Sequence, residues 1–223
     1  MTSVALIGAD GAGKTTIARE LAADDSRRVR YLYLGVNSAA SNHMLITTRS
    51  IAWLKRRRGR AEDHGPPPSA ADIIERDGTA SRWKEAKSTV RVVNQILDEW
   101  YRQAIAMVWQ RRGFVVVFDR HYLADFSSHD MNGASGLPFH RRLHGFVLRH
   151  LYPEPDAVVM LDAPAEVLLE RKGEGTLESL TRRRDDYLSI RDAVDRFYVV
   201  DATLPLDEVR ERVAVIIDEV AGS

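Results

Sequence analysis

Short apolar runs alternate along the chain with longer segments whose apolar residues recur at helical spacing. Five runs are nearly continuous in apolar residues, as in parallel strands that helices cover on both faces. They are Val4–Ile7, Val29–Leu34, Val115–Phe118, Ala157–Leu161 and Arg196–Val200. Helices are predicted at Lys14–Ala23, Ser81–Arg112, Phe139–His150, Ala165–Arg171, Leu177–Val194 and Leu206–Val220. The alternation predicts an α/β fold, a three-layer sandwich with a five-stranded parallel sheet.

The longest predicted helix carries an apolar stripe along one side. Its members recur three or four positions apart, a spacing that places them on one face of a helix. They are Val93, Ile96, Leu97, Trp100, Tyr101, Ala104 and Val108. Such a stripe usually packs into a core, so we expect it to be buried.

Composition indicates one globular domain spanning 1–223. The hydrophobic content is 44% and the charged content 29%, and 32 Lys and Arg balance 32 Asp and Glu. Because no global basic surface results, we expect no nucleic-acid partner. No apolar run reaches about 18 residues, so integral membrane contact is not expected. The first strand begins at Val4, which leaves no room for a signal peptide and favours a cytoplasmic location.

A basic and proline-rich stretch separates the second strand from the longest helix. Lys55–Pro68 combines a Lys-Arg-Arg-Arg-Gly-Arg run with Gly-Pro-Pro-Pro. This composition buries little apolar surface and predicts a mobile segment at about 55–70. The basic run 55–60 has two interpretations. It is a solvated loop, or it collects phosphate or anionic lipid, since Trp53 and Leu54 precede it.

A glycine-rich loop follows the first predicted strand and precedes a helix. Gly8-Ala9-Asp10-Gly11-Ala12-Gly13-Lys14-Thr15 matches G-x-x-x-x-G-K-[ST], the P-loop pattern. The glycines allow backbone N–H groups to surround a phosphate, and the helix N-terminus adds positive potential. We therefore expect this loop and Thr16 to bind the phosphates of ATP or a close relative. Lys14 would reach the β- and γ-phosphates, and Thr15 would offer its hydroxyl to Mg²⁺.

A carboxylate is expected near the same Mg²⁺, at the end of a neighbouring strand. Two acids follow apolar runs in this way, Asp119 and Asp162. Either one also suits the alternative role of capping the next helix. We favour Asp119 for the metal.

At four places the sequence resembles the thymidylate kinase-like family of P-loop nucleoside and nucleotide kinases. They are the loop Gly8–Thr16; Phe118-Asp119-Arg120-His121; Leu161–Val167 with Glu170-Arg171-Lys172; and Asp201–Pro205 with Asp207–Val209. The resemblance covers most of the chain. It implies a P-loop NTPase architecture and ATP- and Mg²⁺-dependent phosphoryl transfer to a small-molecule acceptor. The acceptor would most simply be a nucleoside monophosphate, as in a dTMP kinase or a divergent relative. A homodimer through the long helix is a family expectation.

The resemblance also implies roles for individual residues. Asp10 would lie near the acceptor, Asp119 would serve the metal, and Arg120 would face the acceptor. Arg171 and Lys172 would belong to a cationic lid at about 171–186. The lid would include some of Arg182, Arg183 and Arg184, a triplet that also suits the exposed face of a helix. Ala202 and Thr203 would lie beside the adenine, or else form an ordinary strand-to-helix turn.

The acceptor side departs from the family pattern. True thymidylate kinases have Arg-Glu-Pro after the second strand, where this chain has Leu34-Gly35-Val36-Asn37, and Asp98 stands where they carry a base-reading Arg. We therefore expect a kinase with a different acceptor. Wall residues are expected among Arg49, Asn37, His121 and Arg120. Two alternatives stay open: a non-nucleotide acceptor such as a sugar, alcohol or lipid head group, and a nucleotide-dependent binding or switch protein.

Overall fold

The computed structural model describes residues 1–35, 43–45, 48–50, 53, 57, 82–121, 138–173 and 175–222. Five strands are found there: β1 (Ser3–Ile7), β2 (Val29–Tyr33), β3 (Val115–Asp119), β4 (Ala157–Asp162) and β5 (Phe197–Asp201). The helices are α1 (Lys14–Ala23), α2 (Arg82–Arg111), α3 (Phe139–His150), α4 (Ala165–Lys172), α5 (Leu177–Leu188) and α6 (Leu206–Gly222). The predicted α/β fold with a five-stranded parallel sheet is confirmed.

The sheet places β1 at its centre, in the order β2-β3-β1-β4-β5, with every pairing parallel. All five residues of β1 are buried, because helices cover both faces. One core cluster joins α1 and α6 to the sheet, and another joins α2 to it on the opposite face. All strands end at the same edge, so the loops that follow β1, β3, β4 and β5 come together there.

The long helix α2 buries polar residues and exposes apolar ones. Its buried polar residues are Asp98, Glu99, Arg102 and Gln103. Among the residues described, its exposed apolar residues are Val90, Val93, Leu97, Tyr101, Ala104 and Val108. The expectation of a buried stripe was therefore wrong for five of its members, Val93, Leu97, Tyr101, Ala104 and Val108. Ile96 and Trp100 do pack, against the small cluster formed by α3.

Two further predictions concern the helix that follows α4 and the segment that precedes α2. The predicted helix Leu177–Val194 ends earlier, at Leu188, and continues as a short 3-10 helix, Ser189–Ala193. The predicted mobile segment at about 55–70 lies outside the described residues, apart from the single helical residue Arg57. Among the helices described, none is both long enough and apolar enough to cross a membrane.

Candidate active site

The loop between β1 and α1 has a backbone that only glycine adopts easily. Gly8 has φ 142° and Gly11 has φ 94°, and Gly13 caps α1 in the left-handed region at φ 88°. A Cβ atom on Gly8 would lie 2.5 Å from the carbonyl oxygen of Leu161. The glycines therefore let the loop turn tightly against β4 and present its N–H groups at the N-terminus of α1.

Lys14 is folded back onto this loop. It is buried, and its Nζ donates to the carbonyl oxygens of Gly8 at 2.8 Å and Ala9 at 2.9 Å. Ala12 N–H also donates to Ala9 O, at 3.2 Å, which closes the loop. Thr16, the next position after Thr15, is exposed. The ammonium group is thus held at the place where a phosphate would contact the loop.

Asp119 and Thr15 meet beneath the loop. The Thr15 hydroxyl donates to Asp119 Oδ2 at 2.6 Å, and the Tyr31 hydroxyl donates to the same oxygen at 3.2 Å. Burial, followed by the charge and hydrogen bond of Asp119, raises the pKa of Tyr31 to about 12. Tyr31 therefore stays a neutral donor.

The other carboxylate oxygen of Asp119, Oδ1, is buried and lacks a hydrogen-bond partner in the described part of the chain. A fully buried carboxylate oxygen of this kind is costly unless something pairs with it. A Thr hydroxyl, a carboxylate and nearby phosphate oxygens are the donors that Mg²⁺ prefers. The residues present therefore fit a magnesium ion.

Asp10 is surrounded by cations. Arg120 forms an ion pair with its Oδ1, Arg183 donates to Oδ2 at 2.6 Å, and Lys172 Nζ lies 3.9 Å from Oδ1. Burial alone would raise the pKa of Asp10, but nearby positive charges outweigh it and lower the pKa to about 2. In decreasing order of effect these charges are Arg120, Lys14, Lys172 and Arg183. Asp10 is therefore ionised and shared between Arg120 and the lid.

Arg120 occupies a strained backbone position to make this contact. It is the one non-glycine residue with positive φ in the described ranges, at 66°. A Cβ atom on Gly35 would lie 2.3 Å from the Tyr33 hydroxyl and 2.6 Å from Arg120 Cδ, so a larger residue there would require these side chains to move. Strain of this kind, which costs on the order of 1 kcal/mol, typically marks functional positions.

Asp162, the competing metal candidate, is bound by an arginine of α5. Arg184 donates from Nε and Nη2 to both carboxylate oxygens, at 2.6 and 2.7 Å. The hydrogen bonds to Asp162 raise the pKa of Arg184 further, against partial desolvation. Asp119 faces Thr15 while Asp162 faces Arg184, so this geometry favours Asp119 for a metal.

The loop after β5 lies against the end of α4. Arg171 Nη1 donates to Ala202 O at 2.8 Å, and Ala202 N–H donates to Asp162 O at 2.7 Å. Thr203 donates from its N–H and its hydroxyl to Asp201 Oδ1, at 2.8 and 2.6 Å. The structure thus brings Arg171 and Ala202 together, and it forms a tight local turn at Thr203.

On the acceptor side, Asp98 is paired inside the protein with Arg102. Arg102 Nη2 lies 2.9 Å from Asp98 Oδ2, and both side chains are buried. Arg102 Nη1 also donates to the carbonyl oxygens of Tyr33 at 3.2 Å and Gly35 at 3.4 Å. Leu45 N–H donates to Asp98 Oδ1 at 2.8 Å. Sequence reasoning named Asp98 and missed Arg102, although an acid and an Arg four positions apart on a helix are a recognisable pair.

The remaining wall candidates fall in different places. His121 is fully buried beside Phe118, and its burial lowers its pKa to about 3, so it is neutral at pH 7. Arg49 is exposed, on the short helical stretch 48–50. Asn37 lies outside the described residues. Of the four wall candidates, Arg120 is the one whose contact with the phosphate loop is seen.

Similarity to known proteins extends over nearly the whole chain. A thymidylate kinase from Xylella fastidiosa strain 9a5c is 27% identical over 97% of this chain and 90% of its own length. A thymidylate kinase from Xanthomonas oryzae pv. oryzae strain PXO99A is 26% identical over 98% of this chain and 84% of its own length. No protein-family model matches the chain.

Proposed function

We propose that this chain, an enzyme of the thymidylate kinase-like family of P-loop kinases, transfers the γ-phosphate of ATP to a nucleoside monophosphate with the help of Mg²⁺. The observation that carries the proposal is the hydrogen bond of Asp119 with Thr15, the residue that follows the lysine of the phosphate loop. It joins the loop after β1 to the end of β3, where metal, nucleotide and acceptor must meet. The proposal also includes the cytoplasmic location expected from the sequence.

In this proposal the nucleotide displaces contacts that the protein makes with itself. Phosphate oxygens take the place of the Gly8 and Ala9 carbonyl oxygens as partners of Lys14. Thr15 and Asp119 hold Mg²⁺, which neutralises charge on the phosphates when it is bound. The adenine lies beside Ala202 and Thr203. Each contact either positions a reacting group or neutralises its charge. Phosphoryl transfer requires mainly these two contributions from a protein.

The lid cations supply charge as the phosphoryl group moves. Arg171 and Lys172 stand at the end of α4, and Arg183 already reaches the edge of the phosphate loop through Asp10. Arg120 reaches the same carboxylate from the acceptor side. Asp10 therefore lies between the two halves of the proposed site and orients the acceptor.

For the acceptor, we propose a nucleoside monophosphate other than thymidylate. The specific observation is the buried ion pair of Asp98 and Arg102. By the family resemblance, Asp98 stands where thymidylate kinases carry the Arg that reads the base. Because both groups already have partners, neither is available to read thymine without breaking a buried pair. A non-nucleotide acceptor is the second candidate, favoured by the same substitution.

An acceptor screen tests the proposal. Purified protein with Mg-ATP is mixed with nucleoside monophosphates, nucleosides and phosphorylated sugars in turn, and ADP release is measured with Lys14→Ala as the blank. We expect turnover on a monophosphate other than dTMP. Ordinary kinase rates on dTMP, roughly 1 to 100 per second, would contradict the divergent acceptor. Silence on every nucleotide, with ATP still bound, would contradict the proposed function.

We also propose a homodimer through the exposed apolar side of α2. Val93, Leu97, Tyr101 and Val108 recur at intervals of four or seven positions and form one continuous strip on a 30-residue helix. An apolar strip of this length on a helix that buries its polar residues is characteristic of an interface. A second copy presents the same strip, so a two-fold contact would cover both.

A further inference from the structure

Two consecutive arginines of the lid helix α5 bind acids from two different parts of the sheet edge. Arg183 binds Asp10 in the loop after β1, and Arg184 binds Asp162 at the end of β4. Successive helical residues point about 100° apart, so adjacent side chains diverge. One turn of α5 is thereby fixed at two points across neighbouring strands.

The two contacts differ in how firmly they fix the helix. Arg184 grips both oxygens of Asp162 in a parallel pair of hydrogen bonds, a geometry that sets orientation as well as distance. Arg183 makes one hydrogen bond, to a carboxylate that it shares with Arg120. Arg184 therefore fixes the helix, while Arg183 makes a contact that a competing anion could replace.

The helix itself needs such a contact in order to stay in place. It has 12 residues and begins with a capping box formed by Thr176 and Ser179. Isolated helices of that length are marginal in water even when they are well capped. Leu180 and Tyr187 are its two buried residues among those described, so little apolar surface holds it down.

We infer that Asp162 and Arg184 form a positioning clamp, which holds the lid helix against the phosphate loop and aims Arg183 at the phosphate that is transferred. The inference rests on the proposed function for its kinetic part. It assigns Asp162 to the lid rather than to the metal, and it makes Asp10 the anion that occupies Arg183 until a phosphate competes for it.

The first test is independent of catalysis. Hydrogen–deuterium exchange of residues 177–188 is compared among the wild type, Asp162→Asn, Arg184→Gln and the double variant. The control is Arg182→Gln, which removes an exposed arginine from the same turn. We expect exchange at least about fivefold faster in both single variants, no further rise in the double variant, and wild-type exchange in the control. Exchange of β4 serves as the folding control.

The second test separates positioning from general structure. In the acceptor assay, both single variants should lose kcat about tenfold, with KM for ATP and the Mg²⁺ concentration dependence nearly unchanged. Arg184→Lys, which keeps the charge but not the parallel hydrogen bonds, should recover less than half of that loss. If Arg184→Gln does not fold, Arg184→Lys serves in its place in both tests.

Three outcomes would overturn the clamp. The single variants could exchange at the wild-type rate, or the increases in exchange rate could add in the double variant. The Asp162→Asn variant could also need more Mg²⁺ for activity than the wild type does. An inactive wild type would overturn the proposed function, and the exchange experiment would still decide the clamp.

Discussion

At the scale of single residues, Asp10 organises the charges of the site. A carboxylate inside a loop that binds phosphates is unfavourable unless cations surround it. Arg120 and Arg183 provide those cations, one at each oxygen of the carboxylate. A neutral Asp10 could not form these ion pairs. The ion pairs in turn keep its carboxyl group charged well below physiological pH.

The lowered pKa of Asp10 predicts how stability depends on pH. Its pKa falls from 3.8 to about 2 on folding, so the folded state holds the charged form more strongly. The resulting stabilisation is fully present above about pH 4 and is lost as the pH falls towards 2. Urea unfolding of the wild type and Asp10→Asn should differ by about 2 kcal/mol more at pH 5 than at pH 2.

The matched control is Asp207→Asn, which changes an acid that is 88% exposed in the first turn of α6. It should leave the pH profile of the wild type unchanged. A difference between wild type and Asp10→Asn that stays constant from pH 5 to pH 2 would contradict this account of the charges.

A substitution at Asp119 tests the metal assignment. Asn fills the same space and still accepts a hydrogen bond from Thr15, but it lacks the charge that Mg²⁺ requires. Asp119→Asn should therefore fold, and kcat should fall by about a hundredfold or more. Thermal unfolding with and without Mg-ATP should show a smaller stabilisation than in the wild type.

The control for that substitution is Asp156→Asn. Asp156 is an exposed acid at the opposite edge of the sheet, where it accepts hydrogen bonds from Ser3. The Asp156→Asn variant should be less stable to heat than the wild type, but Mg-ATP should stabilise both proteins to the same extent. An Asp119→Asn variant that responds to Mg-ATP as the wild type does would rule out Asp119 as a metal ligand.

At the scale of elements, α2 is the unusual helix. Its inward face carries the pair of Asp98 and Arg102, and next to it a buried group in which Glu99 Oε2 accepts from Tyr152 at 3.0 Å and contacts His144 Nε2 at 3.3 Å. Buried charges are retained where they fix geometry rather than where they add stability. These contacts fix α2 against β2 and α3, and so they fix the acceptor side of the site.

Replacing one member of the pair of Asp98 and Arg102 should lower the free energy of unfolding more than replacing both. Arg102→Gln leaves a buried acid without its cation and should lower the free energy of unfolding by about 3 kcal/mol. Asp98→Asn combined with Arg102→Gln leaves no unpaired charge and should recover at least about 1 kcal/mol of that loss. Urea titration measures both, and a double variant less stable than Arg102→Gln would contradict the prediction.

The sequence predicts those elements whose residues interact with near neighbours. The strands and the phosphate loop follow from local apolar runs and glycine spacing, so they are predicted to within a residue or two. The inward face of α2 cannot be predicted from the local sequence, because apolar and polar residues both recur at helical spacing. Which face turns inward depends on partners such as Tyr33 and Tyr152, which are distant along the chain. The contact of Arg184 with Asp162 spans 22 positions for the same reason.

At the scale of the whole molecule, the order of the strands explains why distant motifs form one site. β1 lies between β3 and β4, so the phosphate loop stands between Asp119 and Asp162. α2 presents its polar face to the acceptor side of this arrangement and its apolar face to solvent. The molecule thus separates a polar inner surface, proposed for catalysis, from an apolar outer surface, proposed for assembly.

A single charge on the outer surface should prevent the proposed dimer. Leu97 is 56% exposed near the middle of α2, and Val215 is equally exposed on α6. Leu97→Glu should sediment as a monomer, because a buried unpaired carboxylate opposes association, while Val215→Glu should sediment as the wild type does. A monomeric wild type, or a Leu97→Glu variant that remains dimeric, would contradict the proposed interface.

We propose that a phosphoryl group moves from ATP to a nucleoside monophosphate in this site. The most direct measurement quantifies ADP and the nucleoside diphosphate product in the same reaction, separated by anion-exchange chromatography, with Lys14→Ala as the blank. We predict equal amounts of ADP and nucleoside diphosphate. Both should form only with Mg²⁺, and neither should form with Lys14→Ala. ADP formed without a phosphorylated acceptor would show hydrolysis instead of transfer and would contradict the account.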